Sequence, residues 1–313
     1  MAFAEILSNH YDEMLKLRVS LGYSVGRNPQ MVSEFITFCG ERFPDGICIT
    51  KEIIDCWLQN RVFVTNATHN YAMAKIRGFS RYLESVGIPA YVPGEDYSVR
   101  HIQYTPYVLT DDELTQLFET IDSSPPHSLS PRREYIVPVL FRMMYCCGMR
   151  PTEPASLLVE DVDLKTGEVY IRQSKGFKDR RILMSADLTR MCCEYAVRTM
   201  PQKYFLEREP NMGIYQDWIH NQFQVCLRRS GLPKRGRLRP YDLRHNFAAR
   251  TMMRWVNEGR DVTALAPYLS TYMGHSDFSS TLYYIHLLPE RLLKSSGIDW
   301  AKLSAIYPEV CDE

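Results

Sequence analysis

The residue pattern describes a mainly α-helical chain with one small β-hairpin, divided by a proline-rich break. Apolar residues recur at three- and four-residue spacing along most of the chain, the period of helices with one buried face. Strict alternation appears in one place, where Glu168-Val169-Tyr170-Ile171-Arg172-Gln173 is answered by Arg181-Ile182-Leu183-Met184 across the polar stretch 174–180. From Pro89 to Pro106, three prolines and a Gly-Glu-Asp cluster interrupt all periodicity. A length of 313 residues suits two domains of roughly 100–200 residues each. The expected organisation is a helical domain over 1–90, a linker over 91–106 and an α+β domain over 107–313.

The elements follow in order. Phe3, Ile6, Leu7, Met14, Leu15 and Leu17 stripe a first helix over 2–21, and Val32, Phe35, Ile36 and Phe38 a second over 31–43. Thr50 is placed to cap a third over 51–59, with Glu52 in its first turn. A longer helix opens at Asn66 or Thr68 and runs to Ser85, before Gly87 and Pro89. In the second domain, Thr110 and Glu113 form a capping-box pattern. Residues 133–147 read as an apolar helix disturbed by Pro138 and ended by Gly148. After the hairpin, helical patterns occupy 186–200, 215–231, 243–256, 281–286 and 300–306.

Composition excludes several classes. At 45% apolar and 24% charged residues, the chain is neither disordered nor collagen-like. No run approaches the roughly 18–20 apolar residues that cross a bilayer, so no membrane role is expected. Glu5 and His10 interrupt the N-terminal segment, which lacks a basic leader and reads as a helix start. The nine cysteines include no CxxC pair, and Cys146, Cys147, Cys192 and Cys193 sit among methionines. Buried reduced thiols in a cytoplasmic protein, with no metal site, are the expectation. Lysine plus arginine and aspartate plus glutamate both total 37, so net charge gives no support for nucleic-acid binding. Local windows do. Between Arg228 and Arg250 eight basic residues accompany the single acid Asp242.

Five elements carry chemistry. They are Gly148-Met149-Arg150-Pro151-Thr152-Glu153, Lys175 at the mouth of the hairpin, Tyr241-Asp242-Leu243-Arg244-His245, Gly274-His275, and Tyr284 nine residues after His275. Attack on a phosphodiester builds negative charge on the nonbridging oxygens, which planar guanidinium groups match bidentately. A phenol, with a reference pKa of about 10, is a poor nucleophile at neutral pH, and nearby cations favour its phenolate. Each motif alone is ordinary: a paired arginine, a turn lysine, a core histidine, a core tyrosine. Their shared order is not.

On these motifs the chain resembles the tyrosine recombinase (phage integrase) family and its Xer-type members. The resemblance implies a helical core DNA-binding domain followed by an α+β catalytic domain. It implies strand exchange on double-stranded recombination sites through a 3′-phosphotyrosyl intermediate and a Holliday junction, without metal or nucleotide cofactor, integrating or excising a mobile element. Carried over by position, Tyr284 resembles the nucleophile, Arg150 and Arg244 the phosphate-binding arginines, and Lys175 the lysine that protonates the 5′-oxygen. His275 resembles the family's phosphate donor and Glu153 the acid that supports the arginine. Such proteins act as tetrameric synapses, with accessory proteins in some cases, and a last helix of the kind suggested by Leu287, Leu292, Trp300 and Leu303 docks on a neighbour.

The chain departs from the pattern at one place. Tyr241 stands where the family usually has histidine, three residues before the second arginine. A phenol does not titrate near pH 7, so an orienting part is expected of it. Adjacent helical positions do not share a face, so His245 is expected to lie away from Arg244 and the site. Tyr283 rivals Tyr284, and the spacing from His275 favours Tyr284. Expected phosphate contacts are Lys75, Arg77, Arg81, Lys178, Arg180, Arg235, Arg237 and Arg239, which set affinity and carry little sequence information. Two other readings stand beside recombination: a type IB topoisomerase-like enzyme, and a non-catalytic DNA-binding accessory relative.

Overall fold

A computed structural model describes residues 2–23, 30–100, 104, 106–174, 178–232, 238–275 and 277–284. Lys175, Arg235, Arg237 and the apolar segment 287–307 lie outside the described residues. The chain separates into two compact units, 1–104 and 105–313.

The described residues of the first unit form four α-helices: α1 (Phe3–Ser20), α2 (Gln30–Arg42), α3 (Lys51–Gln59) and α4 (Asn66–Ser85). Thr50 caps α3 by accepting from the Ile53 amide. Thr65 caps α4, one residue before the first of the two expected starts. Phe35, Ile54, Met73, Ile76, Phe79 and Leu83 build one core, with the Phe35 and Trp57 rings packed edge to face.

The expected linker proves to be partly folded. Tyr91 donates its amide to the Ile49 carbonyl (2.7 Å), and a short 3-10 turn spans Glu95–Tyr97. Arg77 clasps this segment: Nε donates to the Pro93 carbonyl (2.6 Å), Nη2 to the Gly94 carbonyl (2.6 Å) and Nη1 to Glu95 (3.1 Å). Proline and glycine broke the periodicity, but backbone carbonyls remained as partners for a guanidinium.

The second unit opens with α5 (Asp111–Asp122), whose Thr110/Glu113 capping box is complete. Then come α6 (Arg133–Cys146), α7 (Thr152–Ser156) and the antiparallel hairpin β1 (Glu168–Ser174) and β2 (Lys178–Leu183). They are followed by α8 (Ala186–Thr199), a second small ladder β3 (Glu207–Glu209) and β4 (Met212–Gly213), α9 (Gln216–Ser230), α10 (Pro240–Asn257), α11 (Val262–Met273) and the one-turn α12 (Ser279–Leu282). Of the helix expected over 281–286, α12 holds 281–282, a 3-10 turn continues through 283–284, and 285–286 lie outside the described residues. No described helix is long and apolar enough to cross a membrane.

Helix α11 is absent from the sequence expectations, and Pro267 stands inside it. Its register explains its survival. Val262, Ala266, Leu269 and Met273 bury one stripe against Ala248 and Met252 of α10, and Asp261 caps the start by accepting from Ala264 (3.0 Å). Tertiary burial and a good cap outweigh a cost of roughly 3 kcal/mol for an interior proline.

Candidate active site

The site forms where two chain turns meet α10. At the end of α6 the chain reverses at Gly148 (φ +59°), where an added Cβ would lie 2.5 Å from the Phe247 ring. At the end of α11 it reverses at Gly274 (φ +67°), against the Arg180 guanidinium. Both positions require the left-handed backbone and the close approach that glycine permits. The two turns interlock through the arginines. Arg150 donates Nη2 to the Gly274 carbonyl. Arg244, on α10, donates Nη1 to the Gly148 carbonyl and Nη2 to the Met273 carbonyl (2.8 Å).

Arg244 is fully buried, and its Nε has no hydrogen-bond partner among the described residues. Burial, reinforced by Arg150, lowers its pKa to about 10. A buried guanidinium with an unused donor beside a second guanidinium is costly unless an anion completes it. Glu153 supplies part of that charge. It accepts from the Arg150 amide (2.7 Å) and Nη1 (2.8 Å), and from Arg180 Nη1 (2.8 Å) and Nη2 (2.7 Å). Two guanidinium groups therefore share one carboxylate, and Arg244 adds a third positive charge nearby. The remaining positive charge is the electrostatic requirement of a phosphodiester site.

Tyr284 is buried at 2% exposure. Its hydroxyl lies 3.0 Å from His245 Nδ1, and its ring stacks on His275 with centroids 6.0 Å apart. Burial raises its pKa, while Arg244 and Arg150 act in the opposite direction. His275 places Nδ1 2.6 Å from the Thr281 hydroxyl. Burial first, then Arg244, Arg150 and Arg180, lower its pKa to about 3, so it is neutral at pH 7. Tyr283 packs its ring 6.2 Å from that of Tyr284 and stays half-buried.

Arg150, Arg244, Tyr241, His275 and Tyr284 therefore converge. Three expectations change. His245 faces the site after all. It lies four residues after Tyr241 on α10, the Tyr241 ring packs on it at 4.9 Å, and the site wraps far enough round the helix to take in both it and Arg244. Arg180 is no surface phosphate contact: its side chain is 8% exposed, tied to Glu153 and to the Tyr272 carbonyl (2.9 Å). Strand parity was the available signal, since Arg180 shares its face with the buried Ile182 and Met184. Arg77 likewise spends its guanidinium on 93–95.

Among the other basic candidates, Lys75 lies over the Tyr71 ring (5.1 Å) and Arg81 is exposed. Lys178 opens β2, and Arg239 sits at the N-cap of α10, its amide donating to Asp242 (2.7 Å). No group of side chains among the described residues is arranged to hold a metal ion.

Residues 107–291, more than half of the chain, match the phage integrase family. The chain belongs to that family. Among its relatives is y4rE of Sinorhizobium fredii, a protein assigned to the integrases/recombinases. It is 26% identical over 298 residues, covering 91% of this chain and 93% of that one. The tyrosine recombinase XerC of Lactobacillus delbrueckii subsp. bulgaricus is 26% identical over 240 residues, covering 73% and 75%. Among solved structures, the Tn1549 transposon integrase in complex with transposon right end DNA superposes with a TM-score of 0.63 at 13% identity, covering 91% and 94%. XerH site-specific recombinase bound to palindromic difH substrate gives 0.61 at 17%, covering 84% and 76%. The two structural likenesses concern the fold. Family membership makes the chain a tyrosine-type, Xer-like site-specific recombinase.

Proposed function

We propose that the protein cuts and rejoins DNA at specific sites through a 3′-phosphotyrosyl intermediate and a Holliday junction, integrating or excising a mobile element in the cytoplasm. The observation that carries this reading is the position of Tyr284, in contact with His245 and beside Arg244, within a site that holds more guanidinium than carboxylate. Arg150 and Arg244 hold the nonbridging oxygens, and the unpartnered Arg244 Nε is a donor waiting for one of them. Tyr284 attacks phosphorus. Lys175 protonates the departing 5′-oxygen, as the family resemblance implies. In the tautomer whose Nδ1 accepts from the Thr281 hydroxyl, neutral His275 carries its proton on Nε2, a donor for the phosphate. The phosphotyrosyl bond conserves the energy of the broken diester, so the cycle calls for no nucleotide.

Because Tyr284 sits among the arginines of its own chain, cleavage proceeds in cis. Lys75, Arg81, Lys178, Arg235, Arg237 and Arg239 neutralise the DNA backbone, and four protomers, with accessory proteins where the element supplies them, form the synapse. The test is covalent trapping on nicked duplexes from the DNA flanking the gene. A 3′-linked adduct present in wild type and in Tyr283→Phe, and absent in Tyr284→Phe, is the expected result. Specific binding without any adduct would favour a non-catalytic DNA-binding relative. Mixing Tyr284→Phe with Arg244→Ala restores cleavage only if the tyrosine acts in trans.

A further inference from the structure

We propose that His245 is the general base of this site: it accepts the Tyr284 hydroxyl proton at Nδ1 as that oxygen attacks phosphorus. The assignment rests on the strand-transfer reading above. It supplies the imidazole that Tyr241 does not.

Geometry comes first. The 3.0 Å separation between Nδ1 and the Tyr284 hydroxyl lies inside the roughly 2.6–3.2 Å reach of a proton acceptor. The imidazole is held from two sides. The Tyr241 ring packs against it at 4.9 Å and 64°. On the same helix, the buried Asp242 places Oδ1 4.0 Å from Nε2. Asp242 is itself fixed by the Arg239 amide. The carboxylate lies on the far side of the ring from Tyr284, at ion-pair distance, where its charge steadies the imidazolium once formed.

The resting charge state fits. Burial first, then Arg239 and Arg244, lower the His245 pKa to about 4. At neutral pH the ring is uncharged, and the general-base role calls for its proton on Nε2 and a lone pair at Nδ1. A scissile phosphate adds negative charge beside Arg244 and removes part of the repulsion that keeps His245 neutral. Its basicity therefore rises when substrate is bound. Tyr241 has no such option, because a phenol cannot gain a proton near pH 7.

The step balances. The Tyr284 Oη–phosphorus bond forms and the phosphorus–O5′ bond breaks. The phenolic proton moves to His245 Nδ1, and the 5′-oxygen takes a proton from Lys175. On religation His245 returns its proton to the Tyr284 oxygen.

The experiment uses the full-length protein and a duplex from the gene's flanking DNA. Sulfur replaces the bridging 5′-oxygen at the phosphate mapped by wild-type trapping. A thiolate leaves without a proton, so Lys175 drops out and the attack half of the step is isolated. His245→Ala is expected to slow single-turnover adduct formation at least about 100-fold. Gel-shift affinity should be unchanged, and imidazole in the buffer should recover part of the rate. His245→Gln retains a hydrogen-bonding side chain but no usable base, and should be slow without rescue. Wild-type rates in His245→Gln, or a folded, DNA-bound His245→Ala that imidazole does not accelerate, would overturn the assignment. A wild-type protein forming no Tyr284-dependent adduct would overturn the strand-transfer reading and this one with it. An undiminished adduct in His245→Ala would overturn this one alone.

Discussion

Glu153 is the residue on which the site's charge balance turns, and Glu153→Ala tests it. The carboxylate is 5% exposed and accepts four hydrogen bonds at 2.7–2.8 Å from Arg150 and Arg180. Removing it leaves two guanidinium groups, 11% and 8% exposed, without their counter-charge. Breaking a buried pair from one side costs about 3–5 kcal/mol. For a domain of roughly 150–250 residues, where 1 kcal/mol moves Tm by about 2–4 °C, the expected loss is about 6–20 °C. Circular dichroism melts of the full-length protein read it. The informative companion is Glu153→Ala with Arg180→Met, which removes a charge of each sign and offers an apolar side chain to the face shared with Ile182. Because replacing a buried pair by apolar residues is often neutral, this double variant should recover at least half of the lost stability. Its DNA cleavage should stay impaired, since Arg150 has still lost its support. A single-variant shift below about 2 °C, or a double variant no more stable than the single, would refute the reasoning.

Other outcomes follow from the same structure. His245 and His275 titrate at about 4 and 3 when folded, below the ordinary histidine value of about 6.5. The unfolded chain therefore takes up protons that the folded chain refuses. Stability that is intact above pH 6.5 should fall as pH drops toward 4, on the order of a few kcal/mol, and His275→Gln should flatten part of that slope in Tm-against-pH curves. Asn246 is fully buried, accepts from the Leu109 amide (2.7 Å) and donates to the Tyr107 (3.0 Å) and Asp242 (2.8 Å) carbonyls. Asn246→Ala should cost about 1–3 kcal/mol in urea unfolding, because it removes the acceptor of the buried Leu109 amide. Arg77→Met should destabilise unit 1–104 and leave the salt dependence of DNA binding nearly unchanged. Lys75→Ala, in contrast, should lower that log–log slope by about 1 while leaving stability intact.

Much of this protein was legible before any coordinates. Helical period, the capping residues Thr50 and Thr110, and the alternation through Val169 and Ile171 are local properties of short segments. The order of Arg150, Lys175, Arg244, His275 and Tyr284 along the chain was enough to suggest the chemistry. Local reasoning failed where distant residues decide. No helix was expected over 262–273, and the stripe buried against α10 forms one despite Pro267. Arg77 and Arg180 looked alike as free cations, until carbonyls at 93–94 and 272 and the carboxylate of Glu153 claimed them. His245 was set aside on the rule that adjacent helical residues face apart. That rule holds for a flat partner, and here the site curves round α10 to reach both Arg244 and His245. Sequence determined which groups exist and the period on which each is carried. Tertiary structure decided which charges are spent within the fold and which are left facing a phosphate, because burial and partner distance, not residue type, set the cost of an unpaired charge.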